Sequence, residues 1–263
     1  MKYCMRFYTG CRNLDNADEV ILKYTHKTAE IIDYVKKYKQ EQRIILNAAE
    51  LDILSLLGSK EILTAVKEVH PNIALMLTLT HKNTIKSIKE FGIDYFFIEA
   101  ADTWDKLNAF VKMGVSDIYV INEFAFSMVD IARYCHERNI KVRAYANVAQ
   151  SSSLLDNMNT ITSFFIRPED VQHYENHLDV IEFFGPIEKQ DVLYEIYTKG
   201  KWLGNLKDLI IGLQDSINNT VIIGCFGVVR MRCNKHCNYS QCNICTSFLD
   251  IDKVVEEAYS NEH

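Results

Sequence analysis

The feature that most constrains the fold is the regular alternation of short β-rich segments with segments of helical periodicity along most of the chain. Segments rich in β-branched and aromatic residues are typical of strands. They occur at residues 3–8, 43–46, 73–79, 95–98, 117–121, 141–146, 162–166 and 180–184. Apolar residues recur every three or four positions between them, as in amphipathic helices, at 18–39, 60–69, 84–91, 104–113 and 127–138. This alternation predicts an α/β fold with a parallel sheet.

The residues between helix and strand support the same interpretation. Gly92, Gly114 and Asn139 stand where a helical segment ends and a strand begins, the position that favours a left-handed C-cap. Eight parallel strands joined by right-handed crossovers predict a (β/α)8 TIM-like barrel. A doubly wound open sheet is the alternative. However, no glycine-rich phosphate-binding motif follows a predicted strand, so a Rossmann or P-loop fold lacks its defining element.

The alternation ends near residue 184. A polar connection, helix-like stretches at 191–199 and 206–215, and a cysteine-rich segment follow. We therefore predict a TIM-like barrel over residues 1–185 and a C-terminal helical extension with a four-cysteine metal-binding cluster over residues 186–263.

The charge and hydrophobicity of the chain argue against nonspecific nucleic-acid binding and against a membrane span. The formal net charge is -6 and the pI is about 5.8, so the chain lacks the basic field of nonspecific nucleic-acid binding. No apolar run approaches the roughly 20 residues that cross a bilayer, and the N-terminus does not resemble a secretory signal. We expect a cytoplasmic protein without a membrane span. Its substrate, a small molecule or a macromolecule, is not identified by the sequence.

The strongest chemical signal is a run of four cysteines. Cys233, Cys237, Cys242 and Cys245 follow the spacing C-x3-C-x4-C-x2-C among turn-favouring residues, so short loops can bring the four thiols to one centre. Both zinc and a [4Fe–4S] cluster accept four thiolates. The compact run with unequal gaps favours iron–sulfur, and zinc is the alternative. His236, inside the run, is interpreted as a bystander.

Polar residues also gather where the predicted strands end. In a barrel those carboxyl ends form the functional face. From them we select four candidate substrate-binding residues: Arg143 in and Asn147 just after the sixth predicted strand, and Arg167 and Glu169 after the seventh. The wider set includes Arg6, Asn47 and Glu50.

These charged residues also have a structural interpretation. Arg143, Arg167 and Glu182 interrupt apolar strands, and buried charges need partners because an unpaired one costs several kcal/mol. For Arg167 the partner could be a ligand, or Glu169 or Asp170 in an ion pair. Catalytic residues stay unassigned, since the chain has no HExxH, GxSxG or DxDxDG motif.

Three segments resemble the collagenase-like peptidase family, the peptidase U group. They are SFFIRPEDV at 163–171 with the following His173-Tyr174-Glu175, RAYANVAQ at 143–150, and Gly204-Asn205-Leu206 together with the terminal cysteines. The resemblance implies a TIM-like barrel, often with a four-cysteine [4Fe–4S] cluster. It also implies a relation to proteins of collagenase-like peptidase, RNA hydroxylation or oxygen-independent ubiquinone hydroxylation activity.

Three functions are therefore open. The first is an iron–sulfur enzyme of the redox or hydroxylation type, and the second is a nonenzymatic accessory or scaffold protein with a structural metal site. The third, a metal-independent peptidase, has the least support because no nucleophile and base are recognisable.

Overall fold

The computed structural model describes residues 1–6, 13–24, 28–149, 164–186, 189–213, 216–222 and 226–231. Its strands are β1 Lys2–Arg6, β2 Glu19–Lys23, β3 Arg43–Asn47, β4 Ile73–Leu77, β5 Asp94–Phe97, β6 Asp117–Tyr119, β7 Lys141–Tyr145 and β8 Val180–Glu182. Its helices are α1 Thr28–Val35, α2 Ile53–Leu57, α3 Lys60–Val69, α4 Ile85–Glu90, α5 Trp104–Met113, α6 Met128–His136, α7 Val171–Tyr174, α8 Gln190–Lys199, α9 Leu206–Leu209 and α10 Phe226–Arg230.

The eight strands form one parallel sheet in the order β5-β4-β3-β2-β1-β8-β7-β6. The two end strands approach each other. The Ser116 amide donates to the Tyr95 carbonyl at 2.9 Å, and the Ala101 amide donates to the Tyr119 carbonyl at 2.7 Å. The sheet is therefore a nearly closed barrel with helices between its strands, which confirms the predicted (β/α)8 architecture.

The sequence prediction missed one strand of the sheet and placed one strand wrongly. Residues 19–23 form β2 and not the start of a helix, because their apolar residues are covered on both faces of the sheet and so do not alternate with polar ones. Residues 165–167 are not in a strand, and Phe164 makes an isolated bridge; residues 162–163 lie outside the described part. The Ile166 amide donates to the Ala146 carbonyl at 3.0 Å, just beyond the end of β7. β8 takes the place in the sheet beside β7.

The predicted helix ends are confirmed. Gly92, Gly114 and Asn139 have φ values of 65°, 77° and 57°. The left-handed conformation ends each helix and turns the chain towards the next strand. A side chain at Gly114 would also meet the Lys89 ammonium 2.9 Å away.

The C-terminal described residues pack against the barrel. Helix α8 contacts β1, and the Tyr197 hydroxyl donates to the Ile166 carbonyl at 2.7 Å. Helix α10 contacts α7, and the Phe226 and Phe165 rings lie 6.1 Å apart. Met231, the last described residue, is buried. None of the helices in the described ranges is long and apolar enough to cross a membrane.

Candidate functional site

A group of polar side chains points into the interior of the barrel. Residues paired across parallel strands face the same side of a sheet, so Cys4 points inward with its partners Glu19 and Glu182. Tyr145 is also paired with Glu182. The same register and the side-chain contacts place eight polar side chains inside the barrel: Arg6, Glu19, Arg43, Asp117, Tyr119, Arg143, Tyr145 and Glu182.

The half of the interior nearest the strand N-termini is a closed ion network. Asp117 Oδ1 lies 2.7 Å from Arg43 Nη1 and 3.0 Å from Arg143 Nη1. Arg143 Nη1 also lies 2.5 Å from Glu19 Oε2. Burial alone would raise the pKa of Asp117, but the charges of Arg43 and Arg143 and hydrogen bonds from Arg43 and Ser116 outweigh it and hold that pKa well below its usual value.

Glu182 connects this network to the barrel mouth. Its Oε1 accepts hydrogen bonds from Arg6 Nε at 3.1 Å and Arg6 Nη2 at 2.9 Å. Its Oε2 accepts one from the Tyr119 hydroxyl and lies 3.9 Å from Arg143 Nη2. Burial, and next the charge of Glu182, raise the pKa of Tyr119 well above its usual value, so its hydroxyl stays protonated and donating.

A cleft of about 380 Å³ opens beside Arg6, where β1, β2 and β3 end. Its lining residues are Arg6, Ile21, Lys23, Tyr24, Asn47, Glu50 and Leu51. At its exposed rim, Lys23 Nζ lies 2.9 Å from Glu50 Oε2. Barrel enzymes bind substrates at the carboxyl ends of their strands. We therefore take this mouth cleft as the candidate functional site.

The first two predicted substrate-binding residues lie beneath and beside the mouth. Arg143 is fully buried in the ion network, where it pairs with Glu19 and Asp117. The buried Glu182 pairs with Arg6, so both of these charges have the partners that buried charges were expected to need. Asn147 is 1% exposed; its Nδ2 donates to the Phe184 carbonyl and its Oδ1 accepts from the Phe184 amide, both at 2.8 Å. Asn147 thus ties the end of β7 to the segment after β8.

The other two predicted residues lie on the outer layer, beside α7 and α8. Arg167 is 3% exposed and forms a two-pronged ion pair with Asp170, with Nε to Oδ2 at 2.6 Å and Nη2 to Oδ1 at 3.0 Å. Glu169 Oε1 accepts from the Trp202 amide at 2.6 Å. The contacts of Arg167 are those expected if its partner is Asp170 in an ion pair and not a ligand. None of Arg143, Asn147, Arg167 and Glu169 lines the mouth cleft, and substrate binding by them stays a prediction.

The predicted metal ligands Cys233, Cys237, Cys242 and Cys245 lie outside the described residues. In the described part, no three His, Cys, Asp or Glu side chains are grouped to hold a metal ion. Cys4 and Cys135 are buried free thiols, and burial raises the pKa of Cys135 to about 12. Burial therefore keeps both thiols protonated at neutral pH.

Lys23 is the charged lining residue of the cleft that sequence analysis missed, because residues 19–23 were assigned to a helix. Arg6, Asn47 and Glu50 were among the polar residues at strand ends but were not selected. Glu19, Ile21 and Lys23 lie on one face of β2, but the sequence EVILK does not alternate between polar and apolar residues, so no local signal placed Lys23 at the mouth.

Arg167→Lys is expected to lower the free energy of unfolding by about 1–3 kcal/mol, because the ammonium keeps the charge but loses the two-pronged bond to Asp170. Urea unfolding measures this. Arg133→Lys is the matched control, since Arg133 pairs with Asp130 at the same sequence separation, at 3.6 Å, with both side chains about two-thirds exposed. It should be nearly neutral. Unchanged stability with loss of ligand binding would instead support the substrate-binding role of Arg167.

No family model matches the chain, and no curated protein matches it. Among solved structures, a 4-hydroxy-2-oxoglutarate/2-dehydro-3-deoxyphosphogluconate aldolase from TTHB1 is 11% identical with a TM-score of 0.41, covering 75% of this chain and 92% of its own. A structure described as native KDPGal is 12% identical with a TM-score of 0.42 and the same coverages. A glycerophosphodiester phosphodiesterase from Parabacteroides distasonis is 10% identical with a TM-score of 0.33, covering 70% of this chain and 58% of its own.

Proposed function

We propose that this chain is an iron–sulfur TIM-barrel enzyme of the redox or hydroxylation type. The observation that carries the proposal is the run of four cysteines within the 13 residues 233–245. Four thiols match the ligand set of a [4Fe–4S] cluster, with one thiolate for each iron. The run begins two residues after Met231, which is buried, so the proposed centre is connected by a short stretch of chain to the packed part of the protein.

The mouth cleft supports the enzymatic part of this proposal. It lies at the strand ends where barrel enzymes hold substrates, and its volume is within the range of small-molecule sites. Charged and apolar residues line it together, which suits a ligand that is oriented by a few polar contacts.

A nonenzymatic accessory protein with a structural metal site is the second candidate. The observation that favours it is the ion network, in which Glu19, Asp117 and Arg143 are fully or almost fully buried and engaged with one another. Such residues are held in place by structural contacts and are not free to react. In this alternative the metal centre would only stabilise the C-terminal segment.

Metal analysis tests the proposal directly. Protein purified without oxygen is expected to be brown, with about four irons and about four acid-labile sulfides per chain, since each iron takes one of the four cysteines. Colourless protein with about one zinc and no iron would contradict the iron–sulfur assignment.

The same preparation separates the enzyme from the accessory protein. A redox cluster is expected to be reduced by dithionite and reoxidised without loss of iron, as followed by its visible absorption and electron paramagnetic resonance. A cluster that stays in one state, or that is lost on reduction, would favour the structural role.

A further inference from the structure

We infer that the mouth cleft binds a small organic carboxylate through the edge of the Arg6 guanidinium that faces away from Glu182. The inference deepens the proposed function, because it names the ligand class and the anchoring residue of the site at the barrel mouth. It rests on the proposed function only for the idea that the cleft is a substrate site.

The geometry of the Arg6–Glu182 pair leaves half of the guanidinium available. Glu182 accepts from Nε and from one N–H of Nη2, both through the same oxygen, so it occupies one side of the planar group. The opposite edge consists of Nη1 and the second N–H of Nη2. Contacts to described residues do not use that edge, and Arg6 is 26% exposed where it lines the cleft. Two parallel N–H groups on one edge match the two oxygens of a carboxylate.

Hydrogen bonds fix both the backbone and the guanidinium of Arg6. Its backbone amide donates to Gln190 Oε1 at 2.8 Å, and Gln190 Nε2 donates to the Phe183 carbonyl at 3.2 Å. Glu182, which orients the guanidinium, is fully buried and is fixed in turn by the Tyr119 hydroxyl. Glu182 is therefore a positioning residue, and little side-chain entropy remains to be lost when a ligand binds Arg6.

The charges of the cleft favour a singly charged group. Arg6 is already balanced by Glu182, and Lys23 is balanced by Glu50. A dianionic phosphate bound at Arg6 would place two negative charges near Glu182 where a carboxylate places one, and like charges disfavour each other. A carboxylate adds one charge and uses the planar geometry of the guanidinium edge fully. Ile21 and Leu51 provide apolar surface for the rest of the molecule.

The test is a fluorine NMR titration of the purified full-length protein with three probes of similar shape. They are 4-fluorobenzoate, its neutral counterpart 4-fluorobenzamide, and 4-fluorophenyl phosphate. The benzoate is expected to bind with a dissociation constant below about 10 mM, and more tightly than the other two. Arg6→Lys should weaken benzoate binding by about tenfold to a hundredfold, because the bidentate contact is lost. Arg133→Lys, on the exposed face of α6, is the matched control and should leave it unchanged.

Three results would overturn the inference. They are no benzoate binding at that concentration, equal binding of the benzamide, or tighter binding of the phosphate. Iron content is measured on the same samples. If colourless protein binds benzoate, the inference holds and the iron–sulfur proposal fails. If brown protein does not bind benzoate, the inference fails and the iron–sulfur proposal holds.

Arg6→Lys could fail to fold, because it weakens the pairing of the buried Glu182. A measurement on the unmodified chain covers this case. Phenylglyoxal labelling of Arg6, followed by peptide mass spectrometry, is expected to slow in the presence of 4-fluorobenzoate and not of 4-fluorobenzamide. Equal labelling rates with both probes would also overturn the inference.

Discussion

Arg143→Met is expected to lower the free energy of unfolding by about 3–5 kcal/mol, the cost of breaking a buried ion pair. Methionine nearly fills the space of the arginine stem, so the loss is mainly electrostatic. Glu19 would lose its contact at 2.5 Å and Asp117 one of its two guanidinium partners. Both carboxylates are fully or almost fully buried, so water cannot replace the lost bonds. Urea unfolding, with the slope compared to that of the unmodified chain, measures the change.

Two variants control this experiment. Arg133→Met removes an exposed guanidinium and should change stability by no more than about 0.5 kcal/mol. Arg143→Met combined with Glu19→Gln should recover part of the loss, because the second change removes the buried carboxylate that has lost its shortest ionic contact. In the single variant that carboxylate keeps the longer contacts to Arg43 at 3.6 Å and to Lys141 at 3.9 Å. A single Arg143→Met variant as stable as the unmodified chain would contradict the buried network.

Cys242→Ser is expected to remove most of the bound metal, because a hydroxyl is a poor replacement for one of four thiolates. The barrel should remain folded. The described residues closest to the cysteines in sequence are anchored by other contacts: Arg167 lies 5.4 Å from the Phe226 ring, and Met231 is buried. Amide exchange should therefore increase after residue 231 and stay slow in the strands, since the metal would supply folding energy to the segment that binds it.

His236→Ala is the matched control for Cys242→Ser. It changes a potential metal ligand in the same segment that we interpret as a bystander, so the metal content should not fall. Metal loss in this variant would add His236 to the ligand set. Unfolding of the whole barrel in Cys242→Ser would contradict the expectation that the barrel packs independently of the metal.

Most of the fold could be predicted from local patterns. Helices α3, α5 and α6 have strong amphipathic periodicity, and the residues Gly114 and Asn139 mark helix ends that the structure confirms. Strand β2 could not be recognised, because its two faces are both covered and its sequence reads as part of the helical stretch that follows. The segment at 164–167 has strand-like composition, but the place beside β7 belongs to β8.

The site was harder to predict than the fold. Sequence position placed Arg143 and Arg167 near strand ends, but Arg143 is the central residue of β7 and Arg167 follows residues that are not in a strand. Sequence position could not show that the Arg143 side chain lies in the buried ion network, or that Arg167 forms an ion pair with Asp170. Those outcomes depend on residues from distant parts of the chain, such as Glu19, which is 124 positions from Arg143.

The sequence by itself determined the alternation of strands and helices, the helix ends and the spacing of the four cysteines, because each depends on residues close together in the chain. The tertiary structure alone decided which polar residues meet. Barrel closure brings Arg6, Tyr119, Arg143 and Glu182 from four strands into one interior, and the register of parallel pairing sets their heights. Register and closure are properties of the whole sheet, and for that reason only the folded chain shows that Arg6 lies at the mouth with one guanidinium edge that no described residue contacts.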